Sequence, residues 1–256
     1  MTSTPPLMRI RGLTVESARG QRLLDQADLE IVPGELVGLV GASGAGKTTL
    51  GLAALGHVRR GCAVVGGQIL LGNEDLVLAS PHRLSELRRT RLTYVAQSAA
   101  SAFNPAHQLM PQIVEAVVRY GLKSRSDAIR DALQLLERFD VPDPVTFGAR
   151  YPHQVSGGQL QRAMIAMAML CEPDIVVFDE PTTALDVATQ AEVLAVIAEA
   201  VSMTGASGIY ISHDLELVAR VVHRVSVVDG GRVIRNGPTA DVLAAIARDQ
   251  TSASAG

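Results

Sequence analysis

A glycine-rich segment near residue 45 carries the residue types that bind phosphate. Glycines let successive backbone N–H groups point at one centre, and a following helix adds the attraction of its positive dipole end. Lys47 could then reach the β- and γ-phosphates of a nucleotide, and Thr48 could hold Mg²⁺. The segment, called the phosphate loop below, comprises Gly41, Ala42, Ser43, Gly44, Ala45, Gly46, Lys47, Thr48 and Thr49. A glycine-rich turn with a solvated lysine is the alternative interpretation.

Two carboxylates, Asp179 and Glu180, follow the apolar run 175–178, which has the length of a buried strand. Ligands of open parallel sheets bind beyond the carboxyl ends of the strands. We therefore expect Asp179 to bind Mg²⁺, directly or through water, and Glu180 to polarise an attacking water as general base. An ordinary strand end with exposed acids is the alternative.

A second anion cradle is predicted at residues 156–159, called the signature segment below: Ser156, Gly157, Gly158 and Gln159. The segment opens a helix predicted from residue 160, so it offers free N–H groups and a hydroxyl at a helix N-terminus. One active site does not need two phosphate cradles. A head-to-tail pair of chains would use both cradles. Each ATP would then lie between the phosphate loop of one chain and the signature segment of the other. A simple capped helix is the alternative.

The elements that must position these residues alternate between strands and helices. Strands are predicted within 7–31, 35–40, 175–178 and 208–211, with a hairpin at 225–235. Helices are predicted at 47–55, 127–139 with Ser126 as N-cap, 160–170 and 189–201. This alternation predicts an α/β fold with a parallel sheet covered on both faces. The mainly helical stretch 98–158 interrupts it and is interpreted as an inserted lobe.

Composition excludes several classes of protein. Hydrophobic residues make up 47% of the 256 residues, enough for a core. A net charge of −3 and 3% aromatic residues disfavour sequence-independent nucleic-acid binding. Cys62 and Cys171 are too few for a disulfide scaffold, which favours a reducing compartment. No apolar run approaches the ~18 residues that cross a bilayer, and the N-terminus does not look like a secretory signal. We expect a soluble, cytoplasmic protein that meets the membrane through a partner.

In order and spacing, the motifs resemble those of the nucleotide-binding subunit of an ATP-binding-cassette (ABC) transporter, over nearly the whole chain. The set comprises the phosphate loop, Gln97, the signature segment, Asp179, Glu180, the segment 184–186 and His213. The resemblance implies that Gln97 contacts Mg²⁺ and the attacking water and couples to a permease. It implies that His213 contacts the γ-phosphate, that the signature segment binds the γ-phosphate of the opposite site, and that Asp186 lies at the dimer contact. For His213 taken alone, the alternative is an ordinary loop histidine whose hydrogen bonds are made within the chain.

The same resemblance implies a P-loop NTPase fold with a RecA-like core, an N-terminal antiparallel β subdomain and an inserted α-helical subdomain. The whole chain would be one ABC ATPase domain, with the nucleotide-binding core and β subdomain in 7–97 and 159–250 and the helical signature subdomain in 98–158. The implied ligands are ATP and Mg²⁺. The implied partners are a second ABC ATPase subunit, identical or paralogous, two transmembrane permease subunits and, indirectly, an extracytoplasmic solute-binding protein, at the cytoplasmic face of the membrane.

One departure from the family pattern concerns the base of the nucleotide. Such subunits usually stack an aromatic residue on adenine ahead of the phosphate loop, but residues 11–35 contain no Phe, Tyr or Trp. Ser17 or Ala18 occupies the expected place, and Arg19 or Arg22 could stack instead. The sequence therefore predicts weakened selectivity between ATP and GTP.

Further segments point to a subfamily. Residues 101–105, 151–152 and 171–173 resemble importers of dipeptides, oligopeptides and nickel. The missing aromatic and the early chain end resemble the nickel-type or metal-chelate members in particular. Two rival functions stay open: a soluble cassette ATPase acting on DNA or ribosomes, and a small-molecule P-loop kinase. The first usually carries a coiled coil or a second cassette, and the second would not need the signature segment.

Overall fold

The structure, a computed structural model, describes residues 5–183 and 185–253, with side chains to residue 249. Ala184, part of the predicted segment 184–186, lies outside the described residues. The strands are β1 (Met8–Ser17), β2 (Arg22–Ile31), β3 (Leu36–Val40), β4 (Cys62–Leu71), β5 (Glu74–Asp75), β6 (Leu92–Val95), β7 (Ile175–Asp179), β8 (Ser207–Ser212), β9 (Arg224–Asp229) and β10 (Arg232–Pro238). The helices are α1 (Lys47–Ala54), α2 (Pro81–Thr90), α3 (Ala99–Ala102), α4 (Leu109–Arg119), α5 (Arg125–Arg138), α6 (Pro144–Ala149), α7 (Gly157–Met169), α8 (Val187–Thr204), α9 (Leu215–Val218) and α10 (Thr239–Ala253), with a 3-10 turn at Pro152–Gln154.

These elements form two compact units. The first unit comprises Met1–Ser80 and Ser207–Gly256, and the second comprises Pro81–Ala206. The predicted mixed α/β fold with antiparallel and parallel sheet is confirmed. Between residues 98 and 158 the described elements are helices, as expected. The division into a core of 7–97 and 159–250 and a helical subdomain of 98–158 stays a prediction.

An antiparallel sheet occupies the N-terminal part of the first unit, with the strand order β2-β1-β4-β5. The central strand β1 pairs through Met8 with Ile31 of β2 and with Leu71 of β4. Apolar side chains of β1 such as Met8 and Ile10 are buried, while intervening residues are more exposed, the alternation that an antiparallel sheet with one covered face requires. A turn at residues 18–21 connects β1 to β2.

Parallel pairing in the first unit places β3 between β8 and β9. All five residues of β3 and all six of β8 are buried, because a parallel strand is covered on both faces. Val40 pairs with Ser212 at the carboxyl ends of β3 and β8. The phosphate loop and the segment containing His213 therefore leave the sheet at the same edge.

The second unit combines the parallel pair β6 and β7 with helices α2–α8. Strand β7 is buried at all five positions. Helix α7 packs against α8, α5 and α3, and its Met164 and Met169 are buried. The strand β7 and the helices α7 and α8 carry the candidate residues of this unit.

The predicted N-cap of α5, Ser126, is wrong by two residues. Helix α5 begins at Arg125, and its N-cap is Ser124, whose hydroxyl accepts a hydrogen bond from the N–H of Asp127 at 3.1 Å. Ser124 has the extended backbone that an N-cap requires, whereas Ser126 already lies in the first turn. Two serines two residues apart made the choice ambiguous from sequence.

By length and composition alone, α8 could cross a membrane, and it is the one helix among the described residues that could. A buried helix of a globular unit passes the same test. Polar Gln190, Glu192 and Glu199 interrupt its apolar sequence, and Val193 and Ile197 are buried within its unit. The length of α8 therefore carries no conclusion about a membrane.

Candidate functional site

The phosphate loop connects β3 to α1 by a backbone path that only glycine can follow. Gly41, Gly44 and Gly46 have φ values of 150°, 80° and 107°. A Cβ atom on Gly41 would lie 2.1 Å from the carbonyl oxygen of Val228, and one on Gly46 would lie 2.8 Å from that of Leu23. The loop is thus pressed against β9 and β2 at these two glycines, which fixes its shape and leaves Gly44 at the open side.

Lys47 begins α1 and is only 5% exposed. Its Nζ donates hydrogen bonds of 2.8 Å to the carbonyl oxygens of Gly41 and Ala42. Both acceptors are neutral, so the positive charge has not been cancelled by these bonds. The first turn of α1 contains no acidic residue, and Gly46 caps it without a side-chain hydrogen bond. A buried cation at the start of a helix whose first N–H groups lack a side-chain cap fits the phosphates of a nucleotide.

His213 follows β8 and is exposed. The loop after it is rigidly built: the hydroxyl of Ser212 accepts a hydrogen bond from the N–H of Asp214 at 2.9 Å, and the carboxylate of Asp214 accepts one from the N–H of Leu217, also at 2.9 Å. These bonds cap the short helix α9. The first unit therefore presents His213 at the same sheet edge as the phosphate loop, as the sequence predicts.

In the second unit, Asp179 ends β7 and is 6% exposed. One of its carboxylate oxygens accepts a hydrogen bond of 2.7 Å from the hydroxyl of Tyr94, on the neighbouring strand β6. A buried carboxylate requires such partners, because burial without hydrogen bonds penalises the charged form. Tyr94 was not predicted as a site residue. Its position on the strand that precedes Gln97 was the available signal.

Glu180 lies directly beyond β7 and has a φ of 47°, in the left-handed region that residues other than glycine seldom adopt. Its carboxylate accepts hydrogen bonds from the hydroxyl of Thr183 at 3.0 Å and from the side-chain amide of Gln97 at 3.4 Å. Strained backbone of this kind concentrates at functional sites. The structure thus brings together Gln97 and Glu180, two predicted residues that are 83 positions apart in sequence.

The signature segment forms the start of α7. The hydroxyl of Ser156 accepts a hydrogen bond from the N–H of Gln159 at 3.2 Å, and the side chain of Gln159 accepts one from the N–H of Ser156 at 3.1 Å. This reciprocal capping box satisfies two helix N–H groups within the chain. Ser156 and Gly157 are exposed, while Gly158 is buried.

Asp186 caps α8 in the same unit. Its two carboxylate oxygens accept hydrogen bonds from the N–H of Thr189 at 3.0 Å and from the hydroxyl of Thr189 at 2.7 Å. The backbone and side-chain bonds from Thr189 hold the pKa of Asp186 below its usual value. A Cβ atom on Gly158 would lie 2.4 Å from the methyl group of Thr189. Thr189, which sequence reasoning missed, therefore touches both the signature segment and Asp186.

The predicted residues divide between the two units. The first holds the phosphate loop and His213, and the second holds Gln97, Asp179, Glu180, the signature segment and Asp186. The structure brings together the members within each unit as described above. Among the described residues, no cluster of three or more histidine, cysteine or acidic side chains forms a complete metal site by itself.

Comparisons with known proteins agree with this geometry. Residues 24–183 match the family described as ABC transporter. The probable D,D-dipeptide transport ATP-binding protein DdpD of Escherichia coli is 38% identical over 221 residues, which cover 86% of this chain and 67% of that protein. The dipeptide transport ATP-binding protein DppD of Bacillus subtilis is 37% identical over 233 residues, 91% of this chain and 68% of that protein. Among solved structures, the dimeric post-hydrolysis ATP-binding cassette MJ0796 bound to ADP and Pi has a similar fold, with a TM-score of 0.77 at 22% identity over 91% of this chain and 98% of that one.

Proposed function

The chain belongs to the ABC transporter family, and we propose that it is the ATP-hydrolysing subunit of an importer that moves peptides across a cell membrane. The observation that carries the proposal is the phosphate loop, in which three left-handed glycines surround a buried lysine whose charge is offset only by neutral carbonyls. Such a loop has little structural use without an anion. Its fit to a nucleoside triphosphate is supported by the start of α1, where no side chain caps the helix and no acidic residue lies in the first turn.

We assign the nucleotide contacts on the same basis. The backbone of the phosphate loop would cradle the phosphates, and Lys47 would turn from the loop carbonyls to the β- and γ-phosphates. The donor set of Thr48, Gln97 and Asp179 consists of hydroxyl, amide and carboxylate oxygens, which suits Mg²⁺. When bound, Mg²⁺ would neutralise charge on the phosphate oxygens. This set supports Mg²⁺ as the ion that accompanies ATP.

Hydrolysis requires a group that orients water and one that senses the terminal phosphate. Glu180, half-buried beyond β7 and held by Thr183 and Gln97, is suited to accept a hydrogen bond from an attacking water and to polarise it. His213 would donate a hydrogen bond to the γ-phosphate and lose that contact after cleavage. Gln97, bonded to Glu180, would report the state of the site to a bound permease.

We further propose that each nucleotide is held by two chains. The signature segment offers the exposed residues Ser156 and Gly157 at the N-terminus of α7, where the helix dipole favours an anion. These would bind the γ-phosphate on a second cassette, identical or paralogous, and Asp186 would lie in the contact. The dimeric state of the similar cassette MJ0796 with ADP and Pi supports this arrangement.

The remaining partners follow from membership of an importer. Two permease subunits would dock near Gln97 and the helices of 98–158, and a solute-binding protein would deliver cargo outside the cell. The chain would then lie at the cytoplasmic face of the membrane, held there by the permeases. Net charge of −3 and the names of the relatives give no support to a soluble ATPase acting on nucleic acid.

The names of the relatives favour peptide as cargo, since both reported relatives are named for dipeptide transport. The nickel-type resemblance inferred from the sequence remains a family-level prediction. No residue described above would touch the cargo, so the permeases and the solute-binding protein would select it. Uptake of labelled dipeptides and uptake of nickel, each measured in cells with and without this chain, would decide between peptide and nickel as the cargo.

A pair of substitutions tests the ATPase proposal. In the complex copurified through a tag on this chain, Glu180→Gln should retain ATP binding, lose at least about 100-fold in turnover and accumulate a closed assembly, because general-base loss costs ~10²–10⁴ in rate. Lys47→Ala should lose nucleotide binding or turnover. Glu30→Gln, which alters an exposed carboxylate on β2 paired with Arg9, is the matched control and should leave turnover unchanged. Wild-type turnover in Lys47→Ala would remove the assignment of the phosphate loop.

A further inference from the structure

Thr189 lies where two functional segments of one chain come into contact. It occupies the third position of α8, one helical turn after Asp186. Its methyl group is so close to Gly158 that a Cβ atom on that glycine would lie 2.4 Å away, far below normal contact. Its hydroxyl donates to Asp186 at 2.7 Å, and its N–H donates to the other carboxylate oxygen at 3.0 Å. One side chain thus packs on the signature segment and hydrogen-bonds Asp186.

The surrounding contacts leave little freedom for this junction. A Cβ atom on Gly157 would lie 3.5 Å from the side chain of Leu185, the residue before Asp186, so this side chain also lies beside the signature segment. The side-chain amide of Gln190 donates to the carbonyl of Thr182 at 3.1 Å, which ties the first turn of α8 to the loop that follows Glu180. A packed contact of this kind transmits displacement instead of absorbing it, because interiors are close-packed. A shift of the first turn of α7 must therefore move Thr189 and, through it, Asp186.

The geometry points to Thr189 as a positioning residue that makes the signature segment and Asp186 one rigid contact surface toward the second cassette. Both functions of its side chain are required: a methyl group that fits against Gly158 and a hydroxyl that fixes Asp186. Serine keeps only the hydroxyl, and valine keeps only the methyl group. The inference rests on the proposed two-chain function, since it concerns how the chain presents itself to its partner. It assigns Thr189 itself no contact with the nucleotide.

The first test separates ATP binding from assembly. Thr189→Val should leave the ATP affinity of the isolated chain unchanged within twofold, but should lower turnover of the complex by about tenfold, the effect of losing one hydrogen bond to a charged group. Thr204→Val is the matched control, because it removes a hydroxyl that is also hydrogen-bonded, at the far end of the same helix. It should change neither quantity. Wild-type turnover in Thr189→Val would overturn the inference.

The second test probes the contact with Gly158 by a double-mutant cycle. Gly158→Ala should lower turnover, since the added methyl group collides with Thr189. Thr189→Ser removes the opposing methyl group, so the double variant should recover at least about threefold over Gly158→Ala alone, as coupled neighbours do. Additive effects would overturn the proposed contact.

The two proposals fail in different ways. If the wild-type complex neither binds nor hydrolyses ATP, the ATPase proposal fails. If the wild-type complex is active and Thr189→Val behaves as Thr204→Val does, the ATPase proposal stands and the role of Thr189 is wrong. Thermal unfolding of each isolated variant, measured alongside, should shift by no more than a few degrees, because α8 keeps its backbone cap from Asp186.

Discussion

At the scale of single residues, the acidic edge of β7 shows how two adjacent carboxylates acquire different surroundings. Asp179 is buried and receives a hydroxyl hydrogen bond from Tyr94, whereas Glu180 has turned out of the strand through a left-handed backbone angle. The first environment fixes an oxygen in one place, as a metal ligand needs. The second leaves a half-buried carboxylate just beyond the strand, where it could approach water.

The role of Tyr94 in orienting Asp179 can be tested by the dependence of turnover on Mg²⁺. Tyr94→Phe removes the hydrogen bond to Asp179 while keeping the ring, so the chain should need about tenfold more Mg²⁺ for half-maximal turnover, in the range found for residues that orient metal ligands. Affinity for ATP in the presence of EDTA should not change. Tyr120→Phe is the control, since that exposed tyrosine lies beneath the guanidinium of Arg89 instead. Binding of Mn²⁺ in place of Mg²⁺, followed by paramagnetic resonance, gives a readout independent of turnover, and equal Mn²⁺ affinities would contradict the role of Tyr94.

Local motifs explain why most site residues could be predicted at this scale. The phosphate loop, Glu180 and the signature segment are defined by neighbours in sequence, so their chemistry could be inferred without a fold. Tyr94 and Thr189 could not, because their roles depend on the register of β6 with β7 and on the packing of α7 against α8. A tyrosine on a strand and a threonine in a helix have no distinguishing sequence context.

At the scale of elements, the β1–β2 hairpin concerns the base of the nucleotide. The two arginines that could replace an aromatic residue are not equivalent in the structure. Arg22 donates to Asp25 at 2.8 Å and to Glu16 at 3.4 Å, and Arg232 also bonds Asp25. These ion pairs hold Arg22 along the hairpin, which makes Arg19, in the exposed turn, the remaining candidate for stacking.

Nucleotide selectivity tests this hairpin. Without an aromatic platform, we expect ATP and GTP to bind within about threefold of each other, because base–aromatic stacking contributes ~1–3 kcal/mol in other nucleotide complexes. Ala18→Tyr, at an exposed position, should favour ATP, and Arg19→Ala should weaken both nucleotides. Competition of each nucleotide against a fluorescent analogue would measure the constants. A strong preference of the wild-type chain for ATP would contradict the prediction.

Elements were predicted unevenly, for physical reasons. The buried parallel strands β3, β7 and β8 were readily found, because each contains a continuous apolar run of four or five residues, the length of a strand covered on both faces. The N-cap of α5 was misplaced because Ser124 and Ser126 have equal intrinsic preference, and only the backbone geometry selects the first. The ends of helices depend on tertiary contacts that a local pattern does not contain.

At the scale of the whole molecule, the proposed chemistry requires more than one chain. The signature segment and Asp186 would complete the nucleotide site of the partner. The partner's signature segment would in turn complete the site at the phosphate loop of this chain. A mildly acidic protein of this kind would gain affinity for its partner from the nucleotide between them, because a ligand bound across an interface stabilises the assembled state.

The concentration dependence of turnover tests that requirement. Specific ATPase activity should fall by at least about tenfold as the chain, together with any paralogous cassette, is diluted well below the dissociation constant of the pair, since only assembled pairs would hydrolyse ATP. The specific ATPase activity of the complex with the permeases should stay constant on the same dilution. Turnover at a constant, full rate by a species shown to be monomeric by light scattering would contradict the two-chain proposal.

The contacts of Lys47 with the carbonyls of its own loop have a consequence for the reaction cycle. In the proposed cycle, the same bonds would hold the phosphate loop in one shape after the phosphates leave. An incoming nucleotide would then exchange one set of ammonium hydrogen bonds for another and would not have to order the loop, which lowers the free-energy cost of binding.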